Sequence, residues 1–261
     1  MAIPRLLHQL RNSQAVTAPE QEPALPPDQP PGLFSCALAA ALADLCRLAT
    51  TGGGPVVRER GENLFVAFPS GETWDCLGID PETISPPAPG PAGGRIFGPL
   101  AQSFELPPLA VGARIWLTGH GAGGAHALIA APALQHRGHR LAAIYTFGAP
   151  RTGDRAFGES IAAPHFRIVN NQDPVPDLPP PGPWRHHGTH LLIHDNGFLD
   201  LHPTPISRAG LFLRQTAWLG ELLVDGLQGG YPRALYSLFA RVLRDHALDE
   251  YARRLRRAAT T

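Results

Sequence analysis

Apolar positions along this chain fall into two kinds of run. Short, nearly continuous ones stand at Leu64–Phe68, Ala113–Leu117, 141–147 ("LAAIYTF") and 165–170 ("HFRIVN"). Runs of this length without alternation read as strands buried on both faces. The longer runs repeat at helical spacing. In "LFSCALAAALADLCRLA" (33–49), Leu38, Leu42, Leu45 and Leu48 recur every three or four residues, which predicts a core helix over 33–50. "TGGGP" (51–55) ends it. Further helices are predicted over 123–134, 208–227 and 233–257, the last with Leu235, Leu238, Phe239 and Val242 on one face. "LLIHDNGFLDL" (191–201) reads as a β-hairpin turning at Asn196-Gly197. Strands separated by helical stretches predict an α/β fold: a mostly parallel sheet with helices on both faces.

Composition narrows the function classes. A length of 261 residues with 43% hydrophobic and 17% charged positions suits one sizeable domain with a packed core. The 22 basic residues, all arginine, balance 22 acidic ones, which leaves no electrostatic footprint for nucleic acid. The 29 prolines and 28 glycines predict long irregular loops, as in "SPPAPGPAGG" (85–94). "APEQEPALPPDQPPG" (18–32) cannot form a helix or a central strand, so residues 1–32 are expected to be a poorly ordered arm before a single domain, 33–261. Three cysteines, Cys36, Cys46 and Cys76, give no disulfide framework. "MAIPRLLHQLRNSQAV" lacks a sustained apolar stretch, and Asp44 and Arg47 interrupt the run at 33–49. Neither reads as a signal or a membrane span, and a cytoplasmic location is expected.

The candidate chemistry lies in "TGHGAGGAHALIAAPAL" (118–134). An apolar strand enters a Gly-rich turn and leaves as a helix. That is the setting of Gly-x-Ser-x-Gly, which holds a nucleophilic serine at a sharp strand-to-helix turn. The flanking glycines here are Gly119 and Gly123, with His120 and Ala122 inside them. Where the serine belongs stands Gly121.

Several blocks together resemble the fungal-type (class 3) lipases, a branch of the α/β-hydrolases. They are "LTGHGAGGAHALIAA", "IYTFGAPRTGDRAF" (144–157), "FRIVNNQDPVPDLPP" (166–180), "WRHHGTHLLIHDNG" (184–197) and "DHALDEY" (245–251), in the family's order. The resemblance implies an α/β-hydrolase fold and hydrolysis of lipid carboxylic esters without a cofactor or metal. It implies Asp173 as the triad acid and His246 as the triad histidine. It also implies an oxyanion hole that includes the backbone N–H of Ala122. Such a triad needs a nucleophile, a base that takes its proton and a carboxylate that holds the base. The family's Arg-Gly-Ser/Thr after the strand "VAF" is here "PSGETWD": Pro69 replaces the arginine and Gly71 the hydroxyl residue, with Ser70 or Thr73 as substitutes. Phe97 stands where the family has a histidine.

Glycine cannot attack an ester. Loss of a triad nucleophile costs about a million-fold in turnover in a well-characterised serine protease. The leading expectation is therefore a lipase-like protein without acyl-enzyme chemistry that holds an acyl lipid or ester ligand. Two alternatives stay open: a lipid esterase whose serine was exchanged for Gly121, and a weak hydrolase in which His246 and Asp173 activate water. Three further features carry less. His186, His187, His190, His194 and His202 cluster in sequence, but "RHHG" already matches the lipase hairpin and no metal is expected. Arg253, Arg254, Arg256 and Arg257 offer weak contact with a membrane surface or a solvated helix face. "LFLRQTAWLGELLVDGL" (211–227) suits a cover over the cleft or a core helix.

Overall fold

The computed structural model describes residues 16–19, 21–26, 29–71, 88–89, 94–101, 109–110, 112–179, 182–204 and 244–260. Within them a seven-stranded sheet is built from β1 (Val56–Arg60), β2 (Asn63–Phe68), β5 (Arg114–His120), β6 (Arg140–Phe147), β7 (His165–Asn170), β8 (Thr189–Ile193) and β9 (Leu199–Asp200), hydrogen-bonded in that order. The five strands β2, β5, β6, β7 and β8 are parallel, and β1 and β9 flank them antiparallel. A small separate ladder pairs β3 (Ala88–Pro89) with β4 (Arg95–Ile96). The helices are α1 (Cys36–Gly52), α2 (Ala122–His136), α3 (Arg155–Glu159) and α4 (Leu248–Ala258).

Period-2 alternation explains how continuous apolar strands feed two cores. Phe65 and Ala67 of β2, with Trp116 of β5 and Tyr145 and Phe147 of β6, face the layer of α1 and α4. Leu64, Val66 and Phe68, with Ile115, Leu117 and Ile144, face α2. Each strand therefore needs apolar residues on both sides, which is why the runs lack alternation. The architecture is α/β, a mostly parallel sheet covered on both faces.

Local chemistry sets the helix ends. Ser35 caps α1 by accepting from the Leu38 N–H at 3.2 Å. Asp44 and Arg47, the polar breaks in its apolar face, form the contact between α1 and α4. Arg47 binds Asp44 at 2.9 Å and Asp249 at 2.7 Å, and Asp44 binds Arg256 at 2.6 Å. Among the described residues no helix is long and apolar enough to cross a membrane.

The structure adds to or departs from the sequence reading in three places. The parts of 1–32 that are described pack onto the domain: Leu25 is buried, Val16 lies against the core, and the Thr17 carbonyl accepts from Arg47 Nε at 2.9 Å. Proline blocks regular structure there but not burial of the side chains between prolines. The helix expected over 233–257 is broken at Ala247, whose backbone is extended (φ −61°, ψ 127°). The break caps α4 and lets the turn before it fold back on β7. Strand β1 escaped the sequence reading because "VVRER" offers only two apolar positions. The helix expected over 208–227 lies outside the described residues, as does the first part of 233–257.

Candidate functional site

The site lies at the carboxyl ends of β5, β6 and β7, where the loops of an open parallel sheet converge. Gly121 connects β5 to α2 with φ 54° and ψ −123°, a conformation that L side chains adopt only when the surrounding fold enforces it. Its N–H is fixed by the Phe147 carbonyl at 2.9 Å, and its own carbonyl accepts from Gly124 at 3.0 Å. A Cβ on Gly119 would overlap the Gly123 carbonyl, and one on Gly123 would overlap the carbonyls of Phe68 and Pro69. The two flanking glycines thus let α2 start against the ends of β2 and β5. Ala122 is the first residue of that helix, so its N–H has no intrahelical acceptor. The helix dipole adds partial positive charge at the same end. Gly71, just past β2, lies beside it: a Cβ there would stand 3.0 Å from the Ala122 Cβ.

Asp173 and His246 meet next to this turn. His246 Nδ1 lies 2.9 Å from Asp173 Oδ2 and 3.0 Å from Oδ1. A carboxylate facing the ring can only accept, so Nδ1 carries the proton and Nε2 is the basic nitrogen. Both side chains are at most 2% exposed. Asp173 Oδ1 also accepts from the Val175 N–H at 2.9 Å, and the Tyr251 hydroxyl donates to Oδ2 at 2.6 Å. That hydroxyl in turn accepts from the Asn170 N–H at 2.9 Å. Burial, then the Asp173 charge, pushes Tyr251 well above its ordinary pKa, so it stays a donor. A Cβ on Gly148, at the end of β6, would come within 2.5 Å of Asp173 Oδ2 and 3.0 Å of His246 Nδ1. The neighbouring Phe147 carbonyl is the one that holds Gly121. Turn and Asp–His pair therefore share one wall of backbone.

His120 links them from the other side. Its Nε2 donates to the main-chain carbonyl of His246 at 2.7 Å, and the two rings lie 4.4 Å apart at 30°. With Nε2 as donor, Nδ1 of the neutral ring accepts from the Ser70 hydroxyl at 2.8 Å. Burial and the adjacent His246 hold His120 well below the usual histidine pKa, which keeps this tautomer in place. The preceding residue, Asp245, ties the same turn to β7: it accepts from Asn171 Nδ2 at 2.8 Å and from Arg254 at 3.4 Å.

Part of the chain is similar to known proteins. The family model "Lipase (class 3)" matches residues 100–182. Over these residues the chain is similar to the class 3 lipases. Over 91 residues it is 40% identical to "Lipase" of Rhizomucor miehei, a match that covers 32% of this chain and 25% of that one. Over 65 residues it is 38% identical to "Secreted mono- and diacylglycerol lipase A" of Penicillium cyclopium, covering 24% and 21%. The matched stretch thus spans about a quarter of these relatives' length. Among solved structures, the native Rhizomucor miehei lipase–propeptide complex aligns with 22% identity and a TM-score of 0.46, over 73% of this chain and 81% of that one. Gly121 and Asp173 fall inside the class 3 lipase segment; His246 falls outside it and is located by the fold alone.

The remaining candidates lie as follows. Gly119, His120, Gly121, Ala122, Gly123, Asp173 and His246 come together. The Ser70 hydroxyl is committed to His120. Thr73 and 211–227 lie outside the described residues. Phe97 packs edge-on against Trp184, with ring centroids 5.7 Å apart. Of the clustered histidines, His186 is engaged through Nε2 with the Pro176 carbonyl at 2.7 Å and His194 lies 3.7 Å from Asp200. Among the described residues, no group of three or more His, Cys, Asp or Glu is arranged to hold a metal ion. The arginines of α4 are not a free basic face: Arg253 and Arg254 bind Glu250, and Arg256 binds Asp44. Tyr251 was missed from sequence, because an aromatic on an amphipathic helix reads as core. Its position five residues after His246, on the face toward β7, was the available signal.

Proposed function

We propose that this chain is a lipase-fold protein that holds an acyl lipid without forming an acyl-enzyme. The observation that carries the reading is Gly121 at the strand-to-helix turn beside an assembled Asp173–His246 pair. In the family's chemistry that turn is the nucleophile elbow, and the residue at φ 54° presents the attacking hydroxyl. Gly121 presents none. The remaining parts favour binding of a carbonyl compound: the Ala122 N–H at the start of α2, and a histidine with Nε2 on the side away from Asp173. The names of the relatives, lipases and a mono- and diacylglycerol lipase, point to acylglycerol esters or their products as the ligand class.

The intact Asp–His pair favours a second reading, in which His246 draws a proton from a water in the space that a serine would fill. Two measurements separate them. The protein as it stands is expected to show no burst, no appreciable turnover of short- or long-chain p-nitrophenyl esters, and no labelling by a fluorophosphonate. Slow ester hydrolysis without labelling, lost in His246→Ala, supports the water reading. Stoichiometric labelling at Ser70 or Thr73 overturns both and identifies a relocated nucleophile.

A further inference from the structure

We infer that Thr17 is a positioning residue for the Asp173–His246 pair, and that the segment around it acts as a clasp on α4 from outside the sheet. The segment grips the domain at separate points. Leu25 is buried in the core cluster shared with α1 and α4. Glu22 pairs with Arg58 of β1 at 2.6 Å. Thr17 reaches α1 and α4 together. Its carbonyl accepts from Arg47 Nε at 2.9 Å, its hydroxyl accepts from Arg47 Nη2 at 2.9 Å, and the same hydroxyl donates to Asp249 Oδ2 at 3.0 Å. Arg47, itself buried, adds an ion pair of 2.7 Å to Asp249 Oδ1. One exposed threonine thus completes the contact between a buried guanidinium of α1 and the first turn of α4.

That turn is the one that carries the site. Asp249 stands between His246 and Tyr251, whose hydroxyl donates to Asp173 Oδ2 at 2.6 Å. Residues two apart on a helix are separated by about 200°, so Asp249 and Tyr251 leave α4 on opposite sides. Asp173 holds the inner side and the clasp holds the outer one. The turn has no side-chain cap of its own, because Ala247 stands at the N-cap position. Its main-chain bonds run from the Ala247 N–H to the Arg244 carbonyl at 3.1 Å, and from the Glu250 and Tyr251 N–H groups to the Ala247 carbonyl at 3.0 and 3.2 Å. Without a cap, the outer side of the turn depends on Arg47 and Thr17. Releasing Thr17 loosens the turn that presents His246 and leaves the sheet as it is.

The test needs no ligand, so its outcome is separate from that of the lipid-binding reading. Amide hydrogen exchange on the full protein follows Ala247, Glu250 and Tyr251 beside the amides of β5, β6 and β7. Thr17→Val keeps the side-chain shape and removes the hydroxyl. The amides of the turn are then expected to exchange roughly three- to tenfold faster, the worth of about one hydrogen bond, while those of the strands stay unchanged. In the same variant the downfield proton resonance of His246 Nδ1, held by Asp173, should broaden. Thr17→Ser, which returns the hydroxyl, should restore both readouts. Glu22→Gln, which breaks the ion pair to β1 and leaves Thr17 alone, should change neither. Should Thr17→Val fail to fold, Thr17→Ala makes the same comparison. Equal acceleration in the turn and in the strands overturns the inference, because the segment then only adds to overall stability. Unchanged exchange without the Thr17 hydroxyl overturns it as well, and so does the full effect in Glu22→Gln.

Discussion

His120 holds His246 by its own main chain: the imidazole Nε2–H of the first donates to the carbonyl oxygen of the second at 2.7 Å. A carbonyl fixes the donor outright, so the ring's tautomer follows from geometry. The other nitrogen then serves Ser70, at the end of β2. One buried, neutral ring thereby connects the strand end beside Gly71 with the turn that presents His246. His120→Phe keeps a ring in place and removes both hydrogen bonds. The buried His246 carbonyl then lacks its partner, and a loss of about 1–3 kcal/mol is expected in urea unfolding.

Gly121→Ser tests the turn itself. The backbone at φ 54° is already the one a nucleophile requires, and Gly119 and Gly123 still permit it. Serine there meets strain that glycine avoids, of order 1–3 kcal/mol, so thermal stability should fall modestly. Esterase activity should appear but stay poor, because loss of one oxyanion donor costs about a hundred- to a thousand-fold. A further His246→Ala change should abolish the gain. Activity at the level of a good lipase would show that the hole is complete with Gly71 in place.

Tyr251→Phe removes the O–H that donates to Asp173 and accepts from the Asn170 N–H. Two buried groups lose a partner at once. A destabilisation of about 2–3 kcal/mol is expected in denaturant titration, with the midpoint shifted and the slope unchanged.

Acid should destabilise this fold well above the carboxylate range. Burial lowers His165 to about 3 and His126 to about 4, and burial with Arg167 nearby lowers His186 to about 2. In the unfolded chain each titrates near its ordinary value, about 6.5. Between that value and the folded one, the unfolded state binds more protons, so stability falls as pH falls. Above about pH 6.5 the full stability is present. From there to pH 5 each histidine removes up to about 2 kcal/mol. Unfolding free energy followed from pH 7.5 to 5 should show this slope. In His165→Gln the slope should drop by about one proton.

The central strands were legible because both faces of a parallel strand are buried, which leaves an unbroken apolar run at Leu64–Phe68 and His165–Asn170. The edges were not. Strand β1 faces a neighbour on one side only and needs few apolar residues. The break at Ala247 was equally hidden, since alanine favours a helix and only the pull of Asp245 and His246 toward β7 overrides it. Arg254 shows the limit of charge reading. In "ARRLRR" four arginines look alike, yet Arg254 is 6% exposed and bonded to Asp245, Glu250 and Asn170. Asp173 and His246 are single polar residues in loops. Their pairing became visible only through the blocks around them, because nothing in local sequence says that residues 73 apart will touch.

The ion pairs between α1 and α4 have a consequence for the order in which the molecule forms. Asp44 and Arg256 are separated by 212 positions, and α4 brings Tyr251, and the turn with His246, to the sheet only once it has docked on α1. Closing so long a loop is slow relative to forming α1 or the turn at Gly121. The binding site is therefore a late product of folding. A ligand that occupies it would act as a pharmacological chaperone, drawing the docked state forward by mass action.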